Sequence, residues 1–294
     1  MELFKKGDQV EGYRVLGELG QGAASYIYLV QDVKTKQVWA LKHVKKEQPK
    51  DQRFLDQAES EYEISQRLDH PAIRKIERLI KKKQHLLSVR ELFLVMELVD
   101  GSPMNTHPPK DTLVMLDAFY QIALAMAHMH ARGIVHADMK PHNVIVSESG
   151  VAKIIDLGQS CKIGTIKERI QGTPDYIAPE QVHRRAITPK TDVYNLGATM
   201  YWLLTGTNIP TAMPKGDSLV GSLDDHMIEK AKPIKELAPN VDDRLAELVM
   251  QCIETDASKR PDSMDAVADR LNLILGIARA ERERQAAAAR PNTA

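Results

Sequence analysis

Short apolar runs alternate with polar residues over residues 10–45, broken by glycines and by Lys34-Thr35-Lys36, as in antiparallel strands joined by tight turns. Residues 52–68 have the composition of a helix, which Asp69-His70-Pro71 ends because proline lacks an N–H and crowds the preceding turn. Ile73–Ile80 and Leu92–Val99 read as two further strands, and Asp100-Gly101-Ser102-Pro103 stops the pattern. After Asp111 the apolar positions recur almost throughout at the helical period. The longest apolar stretch, Leu113–Met129, carries Asp117, Gln121 and His128, so it is expected as a buried amphipathic helix and not as a membrane span. A strand-rich first third followed by helices predicts an α+β chain of two lobes joined near Glu97–Gly101, with a ligand cleft at the junction.

A chain of 294 residues holds one large domain or two modest ones. Lys plus Arg and Asp plus Glu both number 40, so no global field draws in nucleic acid or an anionic membrane, and neither is expected as a partner. The two cysteines, Cys161 and Cys252, are far apart and form neither a disulfide framework nor a metal-ligand spacing, which points to a reducing, cytoplasmic setting. The N-terminal MELFKKGDQVEGY lacks the apolar core of a signal peptide. No internal repeat is present, and residues 276–294 are rich in Ala, Glu and Arg, suiting either an extension of the last helix or a disordered tail.

The chemistry concentrates in His136-Ala137-Asp138-Met139-Lys140-Pro141-His142-Asn143, followed by Asp156-Leu157-Gly158. A carboxylate to orient a hydroxyl, an ammonium to neutralise phosphate, and an amide with a second carboxylate to hold magnesium make a working set for phosphoryl transfer. With Lys42 upstream and Ala178-Pro179-Glu180 downstream, the order resembles the signature set of Hanks-type (eukaryotic-like) serine/threonine protein kinases. The resemblance implies a bilobal protein-kinase fold: an N-terminal antiparallel β lobe with one helix, and a larger α-helical C-terminal lobe. It places a catalytic domain at about 10–275, with an N-lobe to 97, a hinge at 97–101 and a C-lobe from 102. His107-Pro108-Pro109 leaves little room for the helix that kinases carry just after the hinge.

In that resemblance ATP and Mg2+ are the cofactors, and the acceptors are Ser or Thr hydroxyls of proteins. Gly20, Gln21, Gly22, Ala23, Ala24 and Ser25 form the loop over the phosphates, with Ser25 where a third glycine is usual. Its strand–turn–strand setting argues against a dinucleotide-binding fold. Lys42 corresponds to the phosphate-binding lysine of the third strand, and Glu61 to its ion-pair partner, with Glu59 and Glu63 as neighbours that the same helix offers. Ile27, Ala40 and Ile145 are placed around the adenine, Met96 at the back of the pocket, and Glu97 and Val99 at the hinge. Ser65 falls at a position that packs between the lobes.

Asp138 corresponds to the residue that accepts or aligns the substrate hydroxyl, Lys140 to the γ-phosphate ligand, and Asn143 and Asp156 to the magnesium ligands. His136 is expected to be structural, and Leu157 to pack in place of the usual phenylalanine. Thr173 should hydrogen-bond toward Asp138 and Lys140, Glu180 should pair with Arg260, and Asp192 should hold the backbone of the catalytic loop. Ala137 stands where loop-phosphorylated kinases carry an arginine, a non-RD pattern that implies activity without phosphorylation of the activation segment. Lys162, Lys167 or Arg169 are the alternative partners for a phosphate there, and Ser160, Thr165 and Thr173 are the candidate acceptors within the segment. Cys161 is expected to be an inert thiol. Two other classes fit the fold. A pseudokinase scaffold is disfavoured by the presence of Lys42, Asp138, Asn143 and Asp156, and a small-molecule kinase by the segment Gly172–Glu180.

Overall fold

The alternation in the first third becomes a curled antiparallel sheet. A computed structural model describes residues 3–22, 24–84, 88–213 and 228–289. Strands β1 (Gln9–Val10), β2 (Tyr13–Gly22), β3 (Ser25–Asp32), β4 (Val38–Lys45), β5 (Ile76–Gln84) and β6 (Ser88–Met96) order as β1-β2-β3-β4-β6-β5. Helix α1 (Gln52–Ser65) follows a 3-10 turn at Pro49–Asp51. These elements form one unit up to Asp100, which also includes Asp156–Gly158; a second unit comprises residues 101–155 and 159 onward.

Strand parity decides what each face of the sheet does. Leu41, Phe93 and Val95 join Tyr13, Tyr28 and Val30 in one buried cluster. Ala40, Val44, Leu92, Leu94 and Met96 join Leu55 and Ala58 of α1 in another. Lys42 therefore shares the face of Ala40 and Val44, toward α1. On α1 the buried positions are Leu55, Ala58, Glu61 and Ser65, a stripe at helical spacing that includes one carboxylate.

The boundaries shift where tertiary contacts outweigh local pattern. The helix expected over 52–68 ends at Ser65, and Gln66-Arg67 form a turn after it. The strand expected from Ile73 starts at Ile76, because Ala72, Ile73 and Arg74 are buried in the turn that leads to it. The strand expected over Leu92–Val99 is Ser88–Met96, so Glu97 and Val99 lie beyond its end.

The second unit is built on helices α2 (Thr112–His130), α3 (Pro179–Val182), α4 (Pro189–Thr205), α5 (Ile234–Leu237), α6 (Asp243–Cys252) and α7 (Met264–Ala288). Among the described residues no helix lies between Met104 and Asp111, as the two prolines imply. The expectation of near-continuous helix after Asp111 fails for residues 131–178. Those hold short strands β8 (Ile134–Val135), β9 (Val144–Val146), β10 (Ala152–Ile154) and β11 (Cys161–Lys162), with a 3-10 turn at Pro141–Asn143. β9 lies between β10 and β7 (Ser102–Pro103), and β11 pairs with β8. Backbone pairing and side-chain caps, invisible to an apolar count, hold this stretch.

Asp111 caps α2 by accepting from Leu113 N at 2.8 Å and Val114 N at 3.3 Å, a contribution of about 1 kcal/mol. Arg282 of α7 grips the same carboxylate through both Nη atoms at 2.9 and 3.0 Å, and Arg279 reaches Asp117 at 2.8 Å. The Ala/Glu/Arg-rich end is thus helical through Ala288. By length and composition α2 could cross a membrane, but 56% of its apolar window is buried, including Leu116, Phe119, Ile122 and Met126. Close packing also fixes Gly197 of α4, where a Cβ would stand 2.6 Å from that of Cys252 on α6.

Candidate active site

In the first unit, β4 and α1 bring Lys42 Nζ to 2.7 Å from Glu61 Oε2, with Glu61 almost wholly buried. Burial opposes the charge on Lys42, and Glu61 and then Asp156 more than restore it, so its pKa lies above the usual lysine value. The stripe on α1 separates Glu61 from its sequence rivals: Glu59 pairs with Lys81 at 3.0 Å on the flank, and Glu63 is exposed.

The glycine-bearing segment differs from a free loop. Gly20, Gln21 and Gly22 lie inside β2 and pair with Ile27, Tyr26 and Ser25 of β3. Ala23 lies outside the described residues, and Ala24 is half-buried. A side chain at Gly22 would meet Ser25 Oγ at 2.7 Å, so the serine occupies space that Gly22 leaves open. Ala40 and Met96 are buried, Ile27, Glu97 and Val99 half-buried, and Glu97 Oε2 accepts from Lys75 N at 3.1 Å. Asp156 Oδ1 accepts from Gly158 N at 2.9 Å and so closes the turn around the buried Leu157.

Sequence reasoning missed Arg74. It is 8% exposed, and burial lowers its pKa against the opposing field of Glu61, Asp156 and Glu97. Nothing in Ile73-Arg74-Lys75-Ile76-Glu77-Arg78 marks one basic residue as buried.

In the second unit the catalytic loop hangs on Asp192 of α4. Its carboxylate, fully buried, accepts from His136 N and Ala137 N at 2.8 Å each, and lies 2.7 Å from His130 Nε2. Ala137 takes φ 61°, a left-handed conformation that costs about 1 kcal/mol and that the two Asp192 bonds enforce. Gln181 Nε2 donates to Ala137 O at 2.8 Å, so the loop is held from α3 as well. His136 Nδ1 accepts from Asp138 N at 3.3 Å, and its buried Nε2 has no hydrogen-bond partner among the described residues.

Asp138 is then aimed by three groups. Lys140 Nζ donates to its Oδ2 at 3.0 Å and to Thr173 Oγ1 at 2.7 Å, and the Thr173 hydroxyl donates to Asp138 Oδ1 at 3.0 Å. Asn143 Nδ2 donates to Asp138 O at 2.9 Å, which leaves the amide oxygen as its acceptor end. Ile145 is half-buried on β9. Asn143 in the second unit carries an amide oxygen and Asp156 in the first a carboxylate, each a donor type that suits magnesium. Among the described residues no cluster of three or more His, Cys, Asp or Glu is placed to hold a metal ion.

Glu180 and Arg260 form a bidentate pair at 2.8 and 3.0 Å, with Arg260 fully buried; breaking such a pair costs about 3–5 kcal/mol. The activation segment is tied to its own unit by main-chain bonds: Ile163 N to Gly133 O at 2.9 Å, Gly164 N to Ile187 O at 2.8 Å and Ile187 N to Thr165 O at 2.9 Å. Lys167 Nζ donates to Gln159 O at 2.7 Å. Burial pushes the Cys161 thiol up, against the pull of Lys167, and keeps it protonated and inert.

The first unit thus holds a β4 lysine paired to a buried helix glutamate, and the second a positioned Asp–Lys–Thr set and a buried Glu180–Arg260 pair. Residues 13–271 match the family model described as a protein kinase domain, and the chain belongs to that family. It is 28% identical over 287 residues to the serine/threonine-protein kinase PrkC of Bacillus subtilis, covering 90% of this chain and 42% of that protein. It is 28% identical over 272 residues to the serine/threonine-protein kinase pkn2 of Myxococcus xanthus, covering 88% and 32%. With the DNA damage-responsive serine/threonine-protein kinase RqkA of Deinococcus radiodurans it shares 30% identity over 268 residues, covering 87% and 38%. The chain thus spans less than half the length of these relatives.

Proposed function

We infer that this chain is an ATP-dependent serine/threonine protein kinase, acting in the cytoplasm, that needs no phosphate on its activation segment. The observation that carries the reading is the Lys140–Thr173–Asp138 chain of hydrogen bonds, which fixes one carboxylate between an ammonium and a hydroxyl. Magnesium held by Asn143 and Asp156 would neutralise charge on the phosphates. Lys42, kept charged by Glu61, binds the α- and β-phosphate oxygens. Asp138 orients the acceptor hydroxyl and takes its proton as the new oxygen–phosphorus bond forms and the bond to the β-phosphate oxygen breaks. Lys140 faces the charge on the transferred group.

Independence from activation-segment phosphorylation is supported from two sides. Ala137 offers no cation to a phosphate, and the segment is already tied by the main-chain bonds of residues 163, 164 and 187. Ser160 is 7% exposed, and the Thr165 hydroxyl donates to Lys162 O at 2.7 Å, so neither presents a free acceptor.

The test is transfer of labelled γ-phosphate from magnesium-ATP to the protein itself and to myelin basic protein, with phosphoamino-acid analysis. Labelled phosphoserine or phosphothreonine is expected, and Asp138→Asn should reduce it by about 10²–10⁴-fold. Bound ATP with no transfer would make the chain a pseudokinase scaffold; transfer unchanged in Asp138→Asn would remove that residue from the chemistry.

A further inference from the structure

Gln181 of α3 is buried, and both ends of its side-chain amide are fully engaged. Nε2 donates to Ala137 O of the catalytic loop at 2.8 Å and to Gln171 O of the activation segment at 3.3 Å. Oε1 accepts from Ala178 N at 2.9 Å and from Asn195 Nδ2 of α4 at 3.0 Å. Asn195 Nδ2 also donates to Tyr176 O at 2.7 Å, so the two amides together hold residues 171, 176 and 178. Two carbonyl oxygens face each amide nitrogen, so neither amide can turn over without setting acceptor against acceptor. Gly172, at φ 140°, gives the segment its close pass: a Cβ there would stand 3.0 Å from Ile177 Cγ1 and 3.4 Å from Gln181 Nε2.

A local role accounts for one of these bonds only. The bond to Ala178 N caps the short helix α3, as a glutamine at its third position commonly does. The other bonds of Gln181 reach the catalytic loop, the activation segment and α4. Packing does not explain Asn195 either. Its Oδ1 is buried with no hydrogen-bond partner among the described residues, a loss of about 1–3 kcal/mol that an apolar side chain avoids. The bonds instead close a circuit. Tyr176 N donates to Thr173 O at 2.9 Å, the Thr173 hydroxyl donates to Asp138 Oδ1 at 3.0 Å, and Asp138 follows Ala137, whose carbonyl Gln181 holds. Ala137 has no polar side chain to tie the segment to the loop, and its carbonyl does so through Gln181.

We propose that Gln181 and Asn195 are positioning residues for phosphoryl transfer: they fix residues 171–178 against the catalytic loop and so hold Thr173 on Asp138 with no phosphate on the segment. The inference deepens the kinase reading and rests on Asp138 and Thr173 as the acting groups. Both amides are buried and act through Thr173.

The test measures kcat and the KM for ATP with magnesium-ATP and myelin basic protein, each protein being assayed well below its own melting temperature. It compares wild type, Gln181→Met, Asn195→Ser, Thr173→Val and the two double variants that combine Thr173→Val with each amide change. Gln181→Met should lower kcat about tenfold and Asn195→Ser about fivefold, with the KM for ATP within about twofold of wild type. In the Thr173→Val background the same changes should lower kcat by less than about twofold further, because what they hold is already gone. Hydrogen exchange should quicken across residues 172–182 in both single variants and keep the wild-type rate in α7. Equal losses in both backgrounds, a KM for ATP that rises as much as kcat falls, or unchanged exchange would mark a merely structural role and overturn the proposal. If Gln181→Met does not fold, Asn195→Ser carries the same comparison. Wild-type kcat in Thr173→Val would defeat the underlying reading of Thr173. A lowered kcat in Thr173→Val, with both amide variants unaffected, would defeat only the role of the amides.

Discussion

At the scale of single residues, the Thr173 hydroxyl does two jobs with one oxygen. It accepts from Lys140 and donates to Asp138, so its loss uncouples the ammonium from the carboxylate. Bonds to charged groups are worth about 1.5–3 kcal/mol, so Thr173→Val should lower kcat by about tenfold or more while the KM for ATP changes little. Steady-state kinetics with varied ATP checks this, and a raised KM with unchanged kcat would contradict it. Asp138, Lys140 and Thr173 were all legible in the sequence, because their spacing in a short loop and a fixed downstream segment restricts the chemistry they can do. Glu61 was legible only as one of three, and the buried stripe of α1 chose it. Arg74 was hidden, since nothing in a one-dimensional alternation tells a buried arginine from a solvated one.

At the scale of elements, β4 shows how parity divides one strand between two tasks. Its even positions supply Ala40, Lys42 and Val44 to the α1 side, while Leu41 and His43 face the other core. His43 stacks on Phe93 at 4.5 Å between ring centroids, lies 5.1 Å from Phe4, and has Nε2 3.1 Å from Glu91. Burial lowers its pKa below the ordinary 6.5, Glu91 opposes that, and Lys45 and Lys82 reinforce it. Because the folded state resists a proton that the unfolded chain accepts, stability is full above about pH 6.5 and falls as pH drops toward the folded pKa. Urea midpoints between about pH 7.5 and 5 should therefore decline more steeply for wild type than for His43→Leu. Parallel declines would show that other groups carry the acid dependence. The strand ends, by contrast, were misplaced by three or four residues, because burial of Ala72–Arg74 and the exit after Met96 depend on neighbours distant in sequence.

At the scale of the whole molecule, the proposed independence from phosphorylation of the activation segment makes one prediction. Ser160→Ala with Thr165→Ala should retain transfer activity within about twofold of wild type, since Ser160 is buried and the Thr165 hydroxyl is engaged with Lys162 O. A loss of tenfold or more would mean that a phosphate on one of them is required, with Lys167 or Arg169 as its nearest candidate cations. Phosphate analysis of the purified protein before the assay separates the two cases.

Order and spacing of His136–Asn143, Asp156–Gly158 and Gly172–Glu180 determined by themselves the family and most of the residues proposed to carry its chemistry. Those motifs are local, and each residue type in them has few other uses at that spacing. The tertiary structure alone decided three things: which glutamate meets Lys42, how Asp192 from α4 pins the backbone of a loop some 55 residues earlier, and that Arg74 is buried. Each depends on burial and on pairing between segments far apart in sequence, and a hydrogen bond or a buried charge exists only once those segments meet.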